Sequence, residues 1–182
     1  MNQQKAFWKR GLLHIYCGDG KGKTTAAVGL SVRAHGRGRR VVFVQFLKDG
    51  RSGEIQVLKR LEGLTVITGQ TVAKFTFAMN EQERAETYAL HMDYLSRAAR
   101  LAHSEPIDLL VLDEALGAIE TGLLDEDTLV DFLSHRPKHL EVVLTGRIIT
   151  DRLAELADYI SEIRCVRHPY EQGIAAREGI EY

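Results

Sequence analysis

One stretch of this chain limits its folding more than any other: Gly18-Asp19-Gly20-Lys21-Gly22-Lys23-Thr24-Thr25. It follows the apolar, β-rich run Leu12–Cys17 and opens into a helix that begins Thr25-Ala26-Ala27. Strand, glycine-rich turn and helix in that order make a phosphate-binding loop. Glycines let the backbone adopt positive φ and turn several N–H groups toward one centre. The helix N-terminus adds about half a positive charge. Lys23 reaches phosphate oxygens as a point charge, and the Thr24 hydroxyl suits Mg²⁺. The full pattern GxxxxGK[ST] is broken at its first glycine, where Cys17 stands. The blander alternative is a Gly/Lys-rich surface turn, and the correctly placed strand and helix speak against it.

Around the loop, short apolar runs alternate with helical patterns, as in βαβ units of a parallel sheet. Strands are expected at Leu12–Cys17, Val41–Phe46, Leu64–Thr68, Ile107–Leu112, Glu141–Thr145 and Ile160–Val166. Several are apolar almost throughout, as strands covered on both faces must be. The expected fold is α/β, a P-loop NTPase with a mostly parallel sheet of about six strands and helices on both faces. The clearest helix runs from Glu81 to His103, opened by Asn80 and Glu83 as a capping box. Ala85, Tyr88, Ala89, Met92, Leu95, Ala99 and Ala102 form its expected buried stripe. A shorter helix covers Asp125–His135 before Pro137, and another begins near Thr150, burying Leu153, Leu156 and Ala157. From Thr68 to Asn80 no period is visible, and an irregular loop of that length carrying two aromatics points to function. Nothing divides the chain, so residues 1–182 read as a single domain.

The second chemical signal is Leu109-Leu110-Val111-Leu112-Asp113-Glu114. A buried strand ending in paired carboxylates puts acid at the carboxyl edge of the sheet, beside the phosphate loop. There the pair suits Mg²⁺, bound directly or through water. Taken alone it reads equally well as a helix N-cap by Asp113. Beside the loop the metal reading prevails, with Thr24 and Glu114 on the metal side. Arg33 lies about three helical turns beyond Lys23. Thr145-Gly146-Arg147 ends the fifth strand on the edge where open α/β sheets bind ligands. Either arginine could instead be a surface ion-pair residue, and Phe75 and Phe77 could be ordinary packing.

Composition removes several classes. The 24 basic and 25 acidic residues leave a net charge of -1, which disfavours a general nucleic-acid or anionic-membrane binder. Cys17 and Cys165 are far apart and lack CxxC spacing, against a disulfide framework or structural zinc. Met1 to Arg10 has no apolar signal core, and no apolar run approaches the ~20 residues that span a bilayer. The expected location is the cytoplasm.

Taken in order, these residues resemble the P-loop family of ATP:corrinoid adenosyltransferases, which act on cob(I)alamin or cob(I)yrinic acid a,c-diamide. The family's loop GNGKGKTTAA is matched by Gly18 to Ala27, and its following helix arginine by Arg33. Its VQF(I/L)K is matched by Val44-Gln45-Phe46-Leu47-Lys48, and the GE after it by Gly53-Glu54. Its LDE and TGR are matched by Leu112-Asp113-Glu114 and Thr145-Gly146-Arg147. Its ELAD and S/TE segments fall on Glu155 to Asp158 and Ser161-Glu162. The closing pattern falls on His168, Gly173, Ala176 and Gly179-Ile180-Glu181-Tyr182, so the likeness runs from about Gly11 to Tyr182. The ordered set is far more specific than the loop alone.

The resemblance implies a RecA-like sheet, usually dimeric, that binds ATP with Mg²⁺, or Mn²⁺ in its place, next to a corrinoid substrate. It implies transfer of the 5′-deoxyadenosyl group to Co(I) and release of triphosphate. Cobalt is then the nucleophile, and the protein must hold C5′ in line and neutralise the leaving group. It assigns catalytic roles to Lys23, Arg33 and Glu114, nucleotide contacts to Gly18 through Thr25 and Arg147, and metal binding to Thr24 and Glu114. An aromatic pair beneath the corrin, F-T-W in the family, corresponds to Phe75-Thr76-Phe77 and displaces the lower cobalt ligand. A reduced flavoprotein is the implied electron donor. Departures are Phe77 for Trp, Asp19 for Asn, Ile148 for Gly after TGR, and a shorter N-terminal extension. Two competing readings remain: a phosphotransferase or ATPase attacking the γ-phosphorus, and a recombination-type or regulatory ATPase.

Overall fold

A computed structural model describes residues 6–69 and 76–181. Its centre is a six-stranded sheet in the order β3-β2-β4-β5-β1-β6, with every pairing parallel. The strands are β1 Leu13–Cys17, β2 Val41–Gln45, β3 Leu64–Ile67, β4 Leu109–Asp113, β5 Glu141–Thr145 and β6 Tyr159–Glu162. Parallel strands need crossovers, and the helices supply them: α1 Lys23–Gly36, α2 Gly53–Leu58, α3 Glu81–Ser104, α4 Ala115–Glu120, α5 Glu126–His135 and α6 Asp151–Leu156. The α/β, P-loop NTPase-like arrangement expected above is the one observed.

Alternating residues of the strands feed two cores, which is why β2 and β4 are buried at every position. On one face Ile15, Val42, Val44, Leu110, Leu112 and Leu144 pack with residues of α3 through α6. On the other, Val41, Phe43, Leu109, Val111 and Val143 meet Ala27 of α1 and Ile55 and Leu58 of α2. Burying one such side chain is worth about 1.5–3 kcal/mol. Carboxylates tie down the amino ends of the strands. Asp108 accepts from the Arg39 guanidinium and the Arg40 amide, both at 2.9 Å, and Asp158 accepts from the Leu13 amide at 2.9 Å.

Differences from the expected elements have local causes. The last strand covers Tyr159–Glu162 rather than Ile160–Val166, and all of it is exposed at the sheet edge. Beyond Glu162 the chain leaves the ladder to pack on the loop: the Gly20 amide donates to Ile163 O at 2.7 Å, and the Cys165 amide donates to Asp19 Oδ1 at 2.9 Å. In α3 the capping box of Asn80 and Glu83 is present. The buried stripe, however, is Thr87, His91, Tyr94, Leu95, Ala98 and Ala102, rotated by one position from the expected one except at Leu95 and Ala102. Tyr88 is 39% exposed. Two polar residues are buried because each finds partners. Thr87 Oγ1 donates to Glu83 O, and His91 sits between Leu123 O and the Leu47 amide. The six-residue helices α2 and α4 carry too few turns for a period to show.

Candidate functional site

The parallel sheet brings the carboxyl ends of β1, β2, β4 and β5 to one edge, and each contributes to a single polar cluster. One strand, β5, stands between the strand that leads into the glycine loop and the strand that ends in carboxylates.

The loop after β1 is held from outside. A Cβ at Gly18 or Gly20 would lie 2.5 or 2.7 Å from Ile163 O, so only glycine lets the chain after β6 approach. The Gly18 amide donates to Arg147 O at 2.9 Å. Asp19 receives the Cys165 amide, which holds its carboxyl below the usual range. Lys21 donates to Ile180 O at 2.9 Å and so secures the C-terminal segment rather than facing the loop's interior. Among the described residues, the amides of Lys21 through Thr25 have no backbone acceptor. They are the free donors of a helix start, the group an anion seeks. Lys23 Nζ folds back onto the carbonyls of Gly18 and Gly20, each at 2.7 Å. Burial lowers its pKa, partly offset by Glu114. Thr25, in the first turn of α1, is exposed.

Asp113, at the end of β4, is wholly buried. Its Oδ1 accepts from Thr145 Oγ1 at 2.8 Å, and its Oδ2 accepts from Gln45 Nε2 at 3.2 Å and from Lys48 Nζ at 3.3 Å. The same ammonium lies 3.3 Å from Thr24 Oγ1. A cation therefore already sits between a loop hydroxyl and a buried carboxylate, the donor pair a divalent metal uses in such sites. Gln45 Oε1 is buried without a partner among the described residues, leaving an acceptor for a hydrated ion. These residues fit Mg²⁺.

Glu114 follows in a left-handed conformation with φ of 61°, its amide donating to Thr145 Oγ1 at 2.9 Å. Burial, then the neighbouring Asp113, raise its pKa, opposed by Lys48, Lys23 and Arg147. Among the described residues, Leu47 is the other non-glycine residue with positive φ, 57°. Two such residues, each costing of order 1–3 kcal/mol, flank this one cluster, where strain serves to aim side chains. Leu47 is fixed by donating its amide to His91 Nε2 at 3.3 Å, which turns Lys48 back over the sheet edge.

The structure thus brings together the Gly18–Thr25 loop, Asp113, Glu114 and Arg147, whose charge acts on both Lys23 and Glu114. It does not bring Arg33 to them. Arg33 is exposed about 15 Å along α1 from Lys23, and its charge acts on Tyr16. Phe75 lies outside the described residues; Thr76–Ala78 form a short 3₁₀ turn in which Phe77 is 86% exposed. The residues not singled out for the site from sequence are Lys48, Gln45 and Thr145, and it is to Asp113 that Lys48 links Thr24. The available signal was position: each lies at, or just past, the carboxyl end of an apolar strand.

Comparison with known proteins gives a consistent answer. The corrinoid adenosyltransferase of Escherichia coli K12 is 34% identical over 177 residues, spanning 96% of this chain and 87% of the relative. That of Salmonella typhimurium LT2, named CobA, has the same identity and coverage, and one from Pseudomonas aeruginosa is 33% identical over 96% of this chain and 85% of its own. Residues 9–182 match the family described as ATP:corrinoid adenosyltransferase BtuR/CobO/CobP. The chain belongs to the ATP:corrinoid adenosyltransferase family.

Proposed function

We propose that this protein transfers the 5′-deoxyadenosyl group of ATP to Co(I) of a corrinoid, forming an adenosylcorrinoid and releasing triphosphate. The observation that carries this reading is the family match over residues 9–182. The geometry supports it: free amides at the start of α1 and three cations, Lys23, Lys48 and Arg147, surround one loop. Such a set neutralises a long polyphosphate leaving group. Lys23 releases the carbonyls of Gly18 and Gly20 and turns to the phosphates. Arg147 flanks them, and Arg33 and Glu114 are kept beside Lys23 as catalytic residues on the resemblance alone. Thr24 and Asp113 would hold Mg²⁺ or Mn²⁺, with Glu114 adding negative charge beside them. When bound, the metal supplies positive charge to the phosphate chain. Phe75 and Phe77 are read as the apolar surface beneath the corrin, and the exposure of Phe77 supports a ligand-facing role. The same reading takes residues 1–182 as one domain in a cytoplasmic homodimer supplied with electrons by a reduced flavoprotein. Among the described residues, no helix is long and apolar enough to cross a membrane.

The test is anaerobic incubation with ATP, Mg²⁺ and chemically reduced corrinoids. Appearance of the cobalt–carbon bond in the visible spectrum, with triphosphate on chromatography, is the expected result. Release of ADP and phosphate without a spectral change would overturn it in favour of γ-phosphoryl chemistry.

A further inference from the structure

We propose that Lys48 is a built-in counter-ion that occupies the seat between Thr24 and Asp113 until a divalent metal arrives with the nucleotide, and then yields it. The proposal rests on the metal part of the reading above. Asp113 is fully buried, and a buried carboxylate without a partner is strongly unfavourable. Among the described residues its other side-chain contacts, with Thr145 and Gln45, are to neutral groups, and Lys48 is the cation hydrogen-bonded to it. The ammonium is equidistant, 3.3 Å, from Thr24 Oγ1 and Asp113 Oδ2, and so bridges the loop hydroxyl and the buried carboxylate.

Lys48 is also built to leave. Its side chain keeps 32% of its surface exposed, against 0% for Asp113. Its four-carbon stem is flexible, and its backbone start is fixed by the left-handed Leu47 and the His91 contact. Once a metal neutralises Asp113, the displaced ammonium remains beside the loop, free to meet phosphate oxygens. The consequence is an order of binding. Metal alone must compete with a tethered lysine, whereas the metal–nucleotide complex gives that lysine a new anionic partner. The site therefore rejects free metal and accepts it with ATP.

The experiment reads Mn²⁺ binding by electron paramagnetic resonance, with and without ATP, and melting temperature with and without Mn²⁺. Wild-type protein should bind Mn²⁺ weakly alone and well with ATP. Lys48→Met should bind Mn²⁺ alone about tenfold more tightly or better, because a like charge has left the seat. It should melt lower than wild type without metal and recover when Mn²⁺ is added. The double variant Lys48→Met/Asp113→Asn should lose the gained affinity. Should Lys48→Met not remain folded, Lys48→Gln, which keeps an N–H donor, serves in the same titration. Normal ATP-dependent Mn²⁺ binding in wild type, with no gain in either Lys48 variant, would overturn this role and leave the metal site standing. No ATP-dependent Mn²⁺ binding in wild type would overturn the metal site and this proposal together.

Discussion

Replacing Thr145 by Val tests how the two carboxylates are held. The Thr145 hydroxyl donates to buried Asp113 and accepts the amide of Glu114, so one atom fixes the side chain of one acid and the backbone of the next. Valine fills nearly the same volume and makes neither bond. A hydrogen bond to a charged group contributes about 1.5–3 kcal/mol, and an orphaned buried amide costs about 1–3 kcal/mol. Some of each is recovered by relaxation, so Thr145→Val should lose about 3 kcal/mol. For a chain of this size that lowers the melting temperature by about 6–12 °C. Urea unfolding followed by circular dichroism measures the difference, and Thr145→Ser is the control. Serine keeps the hydroxyl and loses one buried methyl, worth about 1 kcal/mol. A Thr145→Val loss under about 0.5 kcal/mol, or an equal loss in Thr145→Ser, would refute the bridging role.

Three further outcomes follow from the same geometry. Lys23→Ala should fold normally yet show turnover reduced by at least about a hundredfold, since the leaving group loses a positioned cation; near-normal turnover in a folded variant would contradict the loop's role. Phe77→Ala should lose most activity with enzymatically reduced Co(II) corrinoid and retain much more with chemically prepared Co(I), and equal losses would contradict the ligand-displacement role. Finally, His91 is fully buried and burial lowers its pKa from 6.5 to about 4. The unfolded chain therefore takes up a proton that the folded protein refuses between those values. Its contribution is intact above pH 6.5 and is lost as pH falls toward 4, by about 3 kcal/mol in all. His91→Gln should flatten that part of the pH–stability curve measured by urea unfolding, and parallel curves for the two proteins would contradict this.

The sequence by itself determined the phosphate loop, the parallel α/β sheet and the two ends that meet at the site. The signals are local: glycines between a strand and a helix start, wholly apolar strands, and carboxylates at the last strand positions. β5 could be read as Glu141–Thr145 because its amino-acid pattern and its ladder end together. The tertiary structure decided what depends on residues far apart in the chain. Which face of α3 is buried turned on partners from Leu47 and Leu123 that make His91 acceptable inside, something helical periodicity does not weigh. The last strand stopped at Glu162 because its continuation is pulled onto Gly20 and Asp19, more than a hundred positions earlier. Lys48 closed a motif matched to the family, Val44 to Lys48, without a role of its own. Only the left-handed turn at Leu47 and the side-by-side ends of β2 and β4 placed it on Asp113, because a charge interaction depends on distance in space and not on separation along the chain.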